Sequence, residues 1–289
     1  MACPVTQLQN IRFKDITVMM LSIDPNRVLV QWKLEPTNQN LKNLKFYVDR
    51  GESPSDYDQI AGPLSPYGLC EYVDTTANLL DMNKVYYYRV RAVEEVNGVA
   101  KQTFTSGETT WDGNLDTVGL YVVEEHTFYL RWIVGVPVLV YKKIHDGTYC
   151  TNCWDNILKR VTQANCQVCY GTGRVDGYYP PMEAWMSLEP DPKMEQVADW
   201  GIRQASQTDI LFINYPLLTP DDLVIELKPN RIFKVENIRY PEKNRTTLLQ
   251  MCRLNAVNQS DIEYKIQVPE DVRRRMVAEL EEREKEREF

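Results

Sequence analysis

Four cysteines fall within 20 residues, spaced as Cys150-x2-Cys153-x12-Cys166-x2-Cys169, and no other feature restricts the local fold of this chain as tightly. Each C-x2-C pair can turn back on itself and aim two sulfurs at one point. The 12-residue loop then lets the two pairs meet as a tetrahedral four-sulfur site. Four thiolates fill the shell of one ion. A shell with no open position for water contributes folding free energy rather than catalysis, and soft sulfur donors favour Zn2+, with iron as the competing metal. One structural Zn2+ per chain is therefore expected at Cys150, Cys153, Cys166 and Cys169, against the alternatives of two disulfides or four free thiols. The chain has seven cysteines; an odd total with four clustered suits metal binding in a reducing compartment better than a disulfide framework. Cys3, Cys70 and Cys252 read as small buried or incidental thiols.

The residues around this motif indicate a mainly β, α+β multidomain chain. From Ile16 to Trp111 apolar and polar residues alternate in short runs, among them Val28 to Trp32, Lys45 to Asp49, Tyr86 to Val93 and Val99 to Phe104. Turn signals lie between them at 51–58, 62–68 and Asn97-Gly98, the pattern of a β-sandwich. The segment 112–116 reads as a linker and helix start. Leu115, Val118, Val122, Tyr129, Trp132 and Ile133 lie near helical spacing, but their β-branched and aromatic content also suits a strand pair; the reading favoured is a helix ending near Gly135 and then a strand over 137–143. Strand signals return from Ile210, through Leu223 to Leu227, Arg231 to Ile238 and Thr246 to Cys252, and imply a small barrel or sandwich. Pro269, Glu270 and Asp271 open a charged C-terminal helix with Val272, Met276 and Leu280 on one narrow face. That helix is expected either to fray on the surface or to dock on a partner subunit. The expected order is an N-terminal arm (1–15), a sandwich (16–112), a helical linker (113–137), the cysteine knuckle (138–181), a small β domain (182–268) and the helical tail (269–289).

Charge and composition exclude several function classes. The net charge is −8 with no Lys/Arg block, which argues against broad electrostatic capture of nucleic acid or anionic membrane. The knuckle itself carries Lys142, Lys143, Lys159, Arg160 and Arg174 against Asp146, Asp155 and Asp176, a net of +2. The N-terminus lacks the basic and apolar regions of a signal peptide, and no apolar run is long enough to span a membrane. With two histidines, His126 and His145, neither beside a nucleophile motif, no enzyme activity is expected. His126 reads as ordinary surface beside Glu124 and Glu125, and His145 as surface rather than a metal ligand. Adjacent Asp221 and Asp222 after Pro220 mark a turn rather than a catalytic carboxylate pair.

Three resemblances follow from these residues. Trp32 at the end of an early strand and the later run Tyr86-Tyr-Tyr-Arg-Val-Arg-Ala-Val resemble a fibronectin type III domain, which implies core packing for Trp32 and Tyr88 and an interaction role. Cys166 to Gly173 reads C-x-x-C-x-G-x-G, whose glycines let backbone N–H groups approach the sulfurs; this half resembles the zinc knuckles of J-domain co-chaperones. Those proteins carry several repeats and this chain has one site, so chaperone and thiol–disulfide activities are not carried over. The combination of Cys150-Thr-Asn-Cys-Trp-Asp155, Cys166-Gln-Val-Cys-Tyr-Gly-Thr-Gly173, Asp221-Asp-Leu and Arg231-Ile-Phe-Lys-Val is similar to neck or head-closure proteins of tailed bacteriophages. That resemblance implies a non-catalytic virion component, assembled in the host bacterial cytoplasm. It would form a homo-oligomeric ring linking portal or adaptor proteins to the tail, with passive contact to DNA in a channel and none to membrane. The alternative is a zinc-dependent nucleic-acid-binding or regulatory adaptor.

Overall fold

The computed structural model describes residues 11–22, 27–35, 41, 43–66, 68–77, 85–96, 99–111, 117–145, 148–188, 195–198, 201–204, 207–243 and 246–287. Residues 1–10 of the expected arm, with Cys3, and the Asn97-Gly98 turn and 112–116 linker lie outside them. The described chain is mainly β and divides into two compact units, residues 1–120 and 121–289.

The first unit contains β1 (Phe13–Ser22), β2 (Arg27–Leu34), β3 (Leu44–Ser53), β4 (Asp56–Leu64), β5 (Glu71–Asp74), β6 (Tyr86–Val96), β7 (Val99–Thr105) and β8 (Thr109–Trp111). They form two antiparallel sheets, β1-β2-β5 and β4-β3-β6-β7, with β8 also paired to β6. Successive side chains of a strand face opposite ways, so alternate residues share one core: Val28, Val30 and Trp32 of β2, Leu44, Phe46 and Val48 of β3, and Tyr86, Tyr88, Val90 and Ala92 of β6. Trp32 and Tyr88 are core residues, as their pattern implies. Strand β4 occupies a stretch whose Gly, Pro and Asp residues read as turns. It lies at a sheet edge and its register against β3 shifts three times, and an edge strand tolerates such residues because one side of its backbone needs no ladder partner.

The chain passes into the second unit within α1 (Thr117–Phe128), which runs on as a π-helical segment, Tyr129–Val134. There follow β9 (Val136–Tyr141), the cysteine segment with β10 (Trp154–Asp155) and β11 (Arg160–Val161), β12 (Met182–Leu188), β13 (Glu195–Ala198), β14 (Gly201–Gln204), β15 (Gln207–Phe212), β16 (Leu223–Glu226), β17 (Arg231–Arg239), β18 (Glu242–Lys243), β19 (Thr246–Thr247), β20 (Gln250–Ala256) and α2 (Glu270–Arg287). Six of these strands close an antiparallel barrel in the order β12-β15-β20-β17-β16-β9. Strands β13 and β14 form a hairpin of their own, as do β18 and β19.

Two clusters divide the barrel by face. Val138, Val140, Val224, Phe233, Val235 and Leu254 fill the interior, while Leu139, Tyr141, Leu223, Ile225 and Ile232 point outward to a second cluster with Leu130, Trp185, Met276 and Leu280. This is why β9 and β16 read as continuous apolar runs: both of their faces are covered.

The expectation of a frayed or partner-docked tail is corrected here. Met276 and Leu280 of α2 are buried against the outer barrel face of their own unit. Arg283 is buried too, donating from Nη1 to Arg131 O at 2.5 Å and from Nη2 to Gly135 O at 2.6 Å. Helix ends leave carbonyls without intrahelical donors, and a long cationic side chain satisfies them while its stem covers apolar surface. Strand β9 also lies before the cysteines and β12 after them, and the two pair directly. The cysteine segment is thus an insertion between neighbouring barrel strands, where the sequence reading has it joining two domains.

Candidate metal centre

The inserted segment leaves the barrel as an antiparallel stem. Tyr179 N–H donates to Lys142 O at 2.9 Å, Ile144 N–H to Gly177 O at 3.0 Å, Val175 N–H to Thr148 O at 3.1 Å and Cys150 N–H to Gly173 O at 2.9 Å. At its end the chain doubles back twice, once after each C-x2-C pair, and the short hairpin β10–β11 closes the intervening loop. Thr162 N–H on the returning strand donates to Cys153 O at 2.7 Å, which ties the loop to the first pair.

All four cysteines are buried, and their sulfurs lie within 4.8 Å of one another. Cys153 Sγ is 3.2 Å from Cys169 Sγ, and Cys150 Sγ is 3.8 Å from Cys166 Sγ. A tetrahedron with metal–sulfur bonds of about 2.3 Å has edges of about 3.8 Å, so this group of donors fits one ion. No disulfide joins any two of these four cysteines. His145 is exposed and stands outside the cluster.

The local backbone explains why the second pair needs its glycines. Gly171 (φ +77°) and Gly173 (φ +79°) adopt the left-handed conformation, and a Cβ would come within 2.6 Å of Ala164 O at the first and 2.7 Å of Val161 Cγ2 at the second. Only glycine takes both conditions without strain. Their N–H groups hydrogen-bond Cys169 Sγ. Burial still leaves the Cys169 thiol raised overall, and burial, with the neighbouring thiols, also pushes Cys153 up. By contrast, the Val168 N–H, with that of Cys169, draws Cys166 down to about 7. Four thiols this close cannot all ionise unless a cation shares the space between them, because each thiolate disfavours the next.

Around the stem, Tyr149 stacks on Trp154 (centroids 4.1 Å apart, 18° between planes), and the Arg174 guanidinium lies 3.7 Å from the Tyr149 centroid. Two planar groups this near one ring must take its opposite faces, so the faces of Tyr149 are both covered from within the knuckle. At the stem's base the fully buried Asp222 accepts from Lys142 Nζ at 2.7 Å, Lys143 N at 2.9 Å and Thr219 Oγ1 at 3.0 Å. Asp221 has φ 73° and pairs with Lys143 and Lys234 at 2.8 and 3.1 Å. The two acids therefore build a turn and fasten it to the end of β9, in agreement with their reading as a turn. The remaining described cysteines are a barrel-core thiol, Cys252, pushed up to about 12 by burial, and the half-buried Cys70.

His126 is half-buried, rather than ordinary surface. With Glu125, Tyr129, Leu130, Leu211 and Leu249 it lines a cavity of about 330 Å³ beside the π-helical segment. Its helix gave no sequence signal for this, since the walls Leu211 and Leu249 come from far along the chain. Among the described residues no helix is long and apolar enough to cross a membrane. No protein-family model matches the chain, and no curated protein sequence matches it.

Proposed function

We propose that this chain is a non-catalytic structural protein whose four cysteines bind one Zn2+, and that it serves as a neck or head-closure component of a tailed-phage virion, assembled as a homo-oligomeric ring between portal and tail proteins. The observation that carries the mechanical part is the closed site: four buried sulfurs on a stem inserted between adjacent barrel strands. Such an ion contributes its binding free energy to folding and has no position for a reacting molecule. The soft, all-sulfur donor set supports zinc. The strand order of the first unit, β1-β2-β5 facing β4-β3-β6-β7 across one core, supports a fibronectin type III-like interaction domain. The virion assignment rests on the sequence resemblance, and the net charge of −8 suits a channel from which DNA is repelled. The consumption of Tyr149 in its Arg174–Trp154 stack removes a base-stacking surface that a nucleic-acid adaptor would need.

Elemental analysis of gently purified protein is expected to give one zinc per chain, and well under one counts against the metal. Native mass measurement, together with virion or portal–tail preparations, is expected to find a closed oligomer that co-purifies with particles. A strictly monomeric chain that never accompanies virions sinks the assembly reading.

A further inference from the structure

The second unit carries an exposed apolar tip and an open apolar cavity of complementary charge. The tip is the turn between β10 and β11. Ile157 is 91% exposed and Leu158 55%, and neither is loose: Asp155 Oδ1 accepts from Ile157 N–H at 2.7 Å and from Leu158 N–H at 2.9 Å, and Lys159 closes the turn at φ 50°. The cysteine cluster and the stem hold this turn from below. Fixing two large aliphatic side chains in water on a rigid turn opposes their hydrophobic tendency, and such a patch marks a contact site. Lys159 and Arg160 follow directly and are exposed, so the tip is apolar with a basic border.

The cavity beside the π-helical segment has the opposite border. Leu130, Leu211, Leu249 and Tyr129 line it together with His126 and Glu125, and Glu124 precedes Glu125 in the helix. Phe128, Trp132 and Ile133 of the same helical stretch are exposed. The one Arg or Lys of that helical stretch, Arg131, is paired with Glu279 at 2.8 Å. The exposure of Ile157 means that the tip is not seated in the cavity of its own copy.

We infer that Ile157 and Leu158 of one copy seat in the cavity of a second copy, with Lys159 and Arg160 facing Glu124 and Glu125. The inference rests on the self-assembling part of the function proposed above and names its contact. Tip and cavity are different surfaces, so the contact is head-to-tail: each copy offers one tip and receives another, and the series closes into a ring when the rotation per copy permits. Apolar anchors in a desolvated pocket with charges at the rim is the distribution in which a few residues carry most of the affinity.

The test uses the full zinc-loaded chain in sedimentation velocity, with a photo-crosslinking amino acid in place of Leu158 and the crosslinked peptides identified by mass spectrometry. The wild type is expected to form one closed oligomer whose crosslinks land within residues 121–134, 207–212 or 246–250. Ile157→Asp, at a site too exposed to disturb the fold, is expected to weaken association by at least about tenfold with zinc content unchanged and thermal unfolding equal to that of the wild type diluted to monomer. Lys159→Glu is expected to weaken it less, and Glu125→Lys in the same chain to restore it. A closed oligomer that ignores Ile157→Asp and crosslinks elsewhere overturns this contact and leaves the ring reading standing. A reciprocal dimer crosslinked through the cavity supports the contact and overturns the ring. A chain monomeric at every concentration overturns both.

Discussion

Asp74 and the clustered cysteines show how much can rest on single residues in each unit. Asp74 is fully buried and accepts from Arg50 at 2.7 Å, Tyr88 at 2.9 Å and both the N–H and hydroxyl of Thr76 at 2.8 and 2.7 Å. Burial alone would raise its pKa, but the Thr76 bonds and the Arg50 charge outweigh it and hold the carboxyl below the ordinary aspartate value. A carboxyl whose folded pKa is depressed contributes stability that is complete above the unfolded value of about 3.9 and is lost as pH falls through the lower folded one. Asp74→Asn is therefore expected to cost about 3 kcal/mol at pH 7 and to flatten the acid limb below about pH 4, as read by urea unfolding across pH. At the metal site, Cys169→Ser removes one of four donors. Zinc content should fall well below one per chain, with a loss of more than about 4 kcal/mol and new proteolytic cuts within 148–178; an intact, protease-resistant knuckle would refute the staple. The four-cysteine cluster was legible in the sequence because its spacing is local. Asp74 was not, because Arg50 and Tyr88 reach it from two other strands, β3 and β6.

At the scale of elements, α2 is the segment whose sequence misleads most. Its composition is strongly polar, and its apolar positions, Val272, Met276 and Leu280, make a stripe too short to predict what it covers. The barrel supplies the answer: β9 and β16 present Leu139, Tyr141, Leu223 and Ile225 outward, and exposed side chains of that kind demand a cover. Leu280→Ala is expected to destabilise the second unit by about 2–4 kcal/mol, measured by its denaturant midpoint, whereas the same change on a frayed helix would cost a few tenths. The helix ending near Gly135 was the favoured of two readings of a stretch that also suits a strand pair, and the strand after it was legible, since a β-branched run follows the glycine there. The edge strand β4 was not. Its Gly and Pro residues carry the local signature of a turn, and only pairing with β3 makes it a strand.

For the whole molecule, the division into two units makes metal dependence selective. Chelation of the ion is expected to lower the unfolding temperature of the second unit, whose neighbouring strands β9 and β12 flank the knuckle, and to leave that of the first unit unchanged; differential scanning calorimetry with and without chelator reads both. A shift of the first transition would contradict this independence. The sequence by itself determined the cysteine cluster, the glycines behind it, the β-rich character and the turn at Asp221-Asp222, because each depends on residues near one another along the chain. The tertiary structure decided what that information could not reach. Closing the barrel makes β9 and β12 neighbours and turns the knuckle from a link into an insertion. It also brings Leu211 and Leu249 to the helix of His126, and gives α2 an apolar face to cover. Those outcomes depend on which distant strands pair, and pairing is settled by burial of whole faces rather than by any local run of residues.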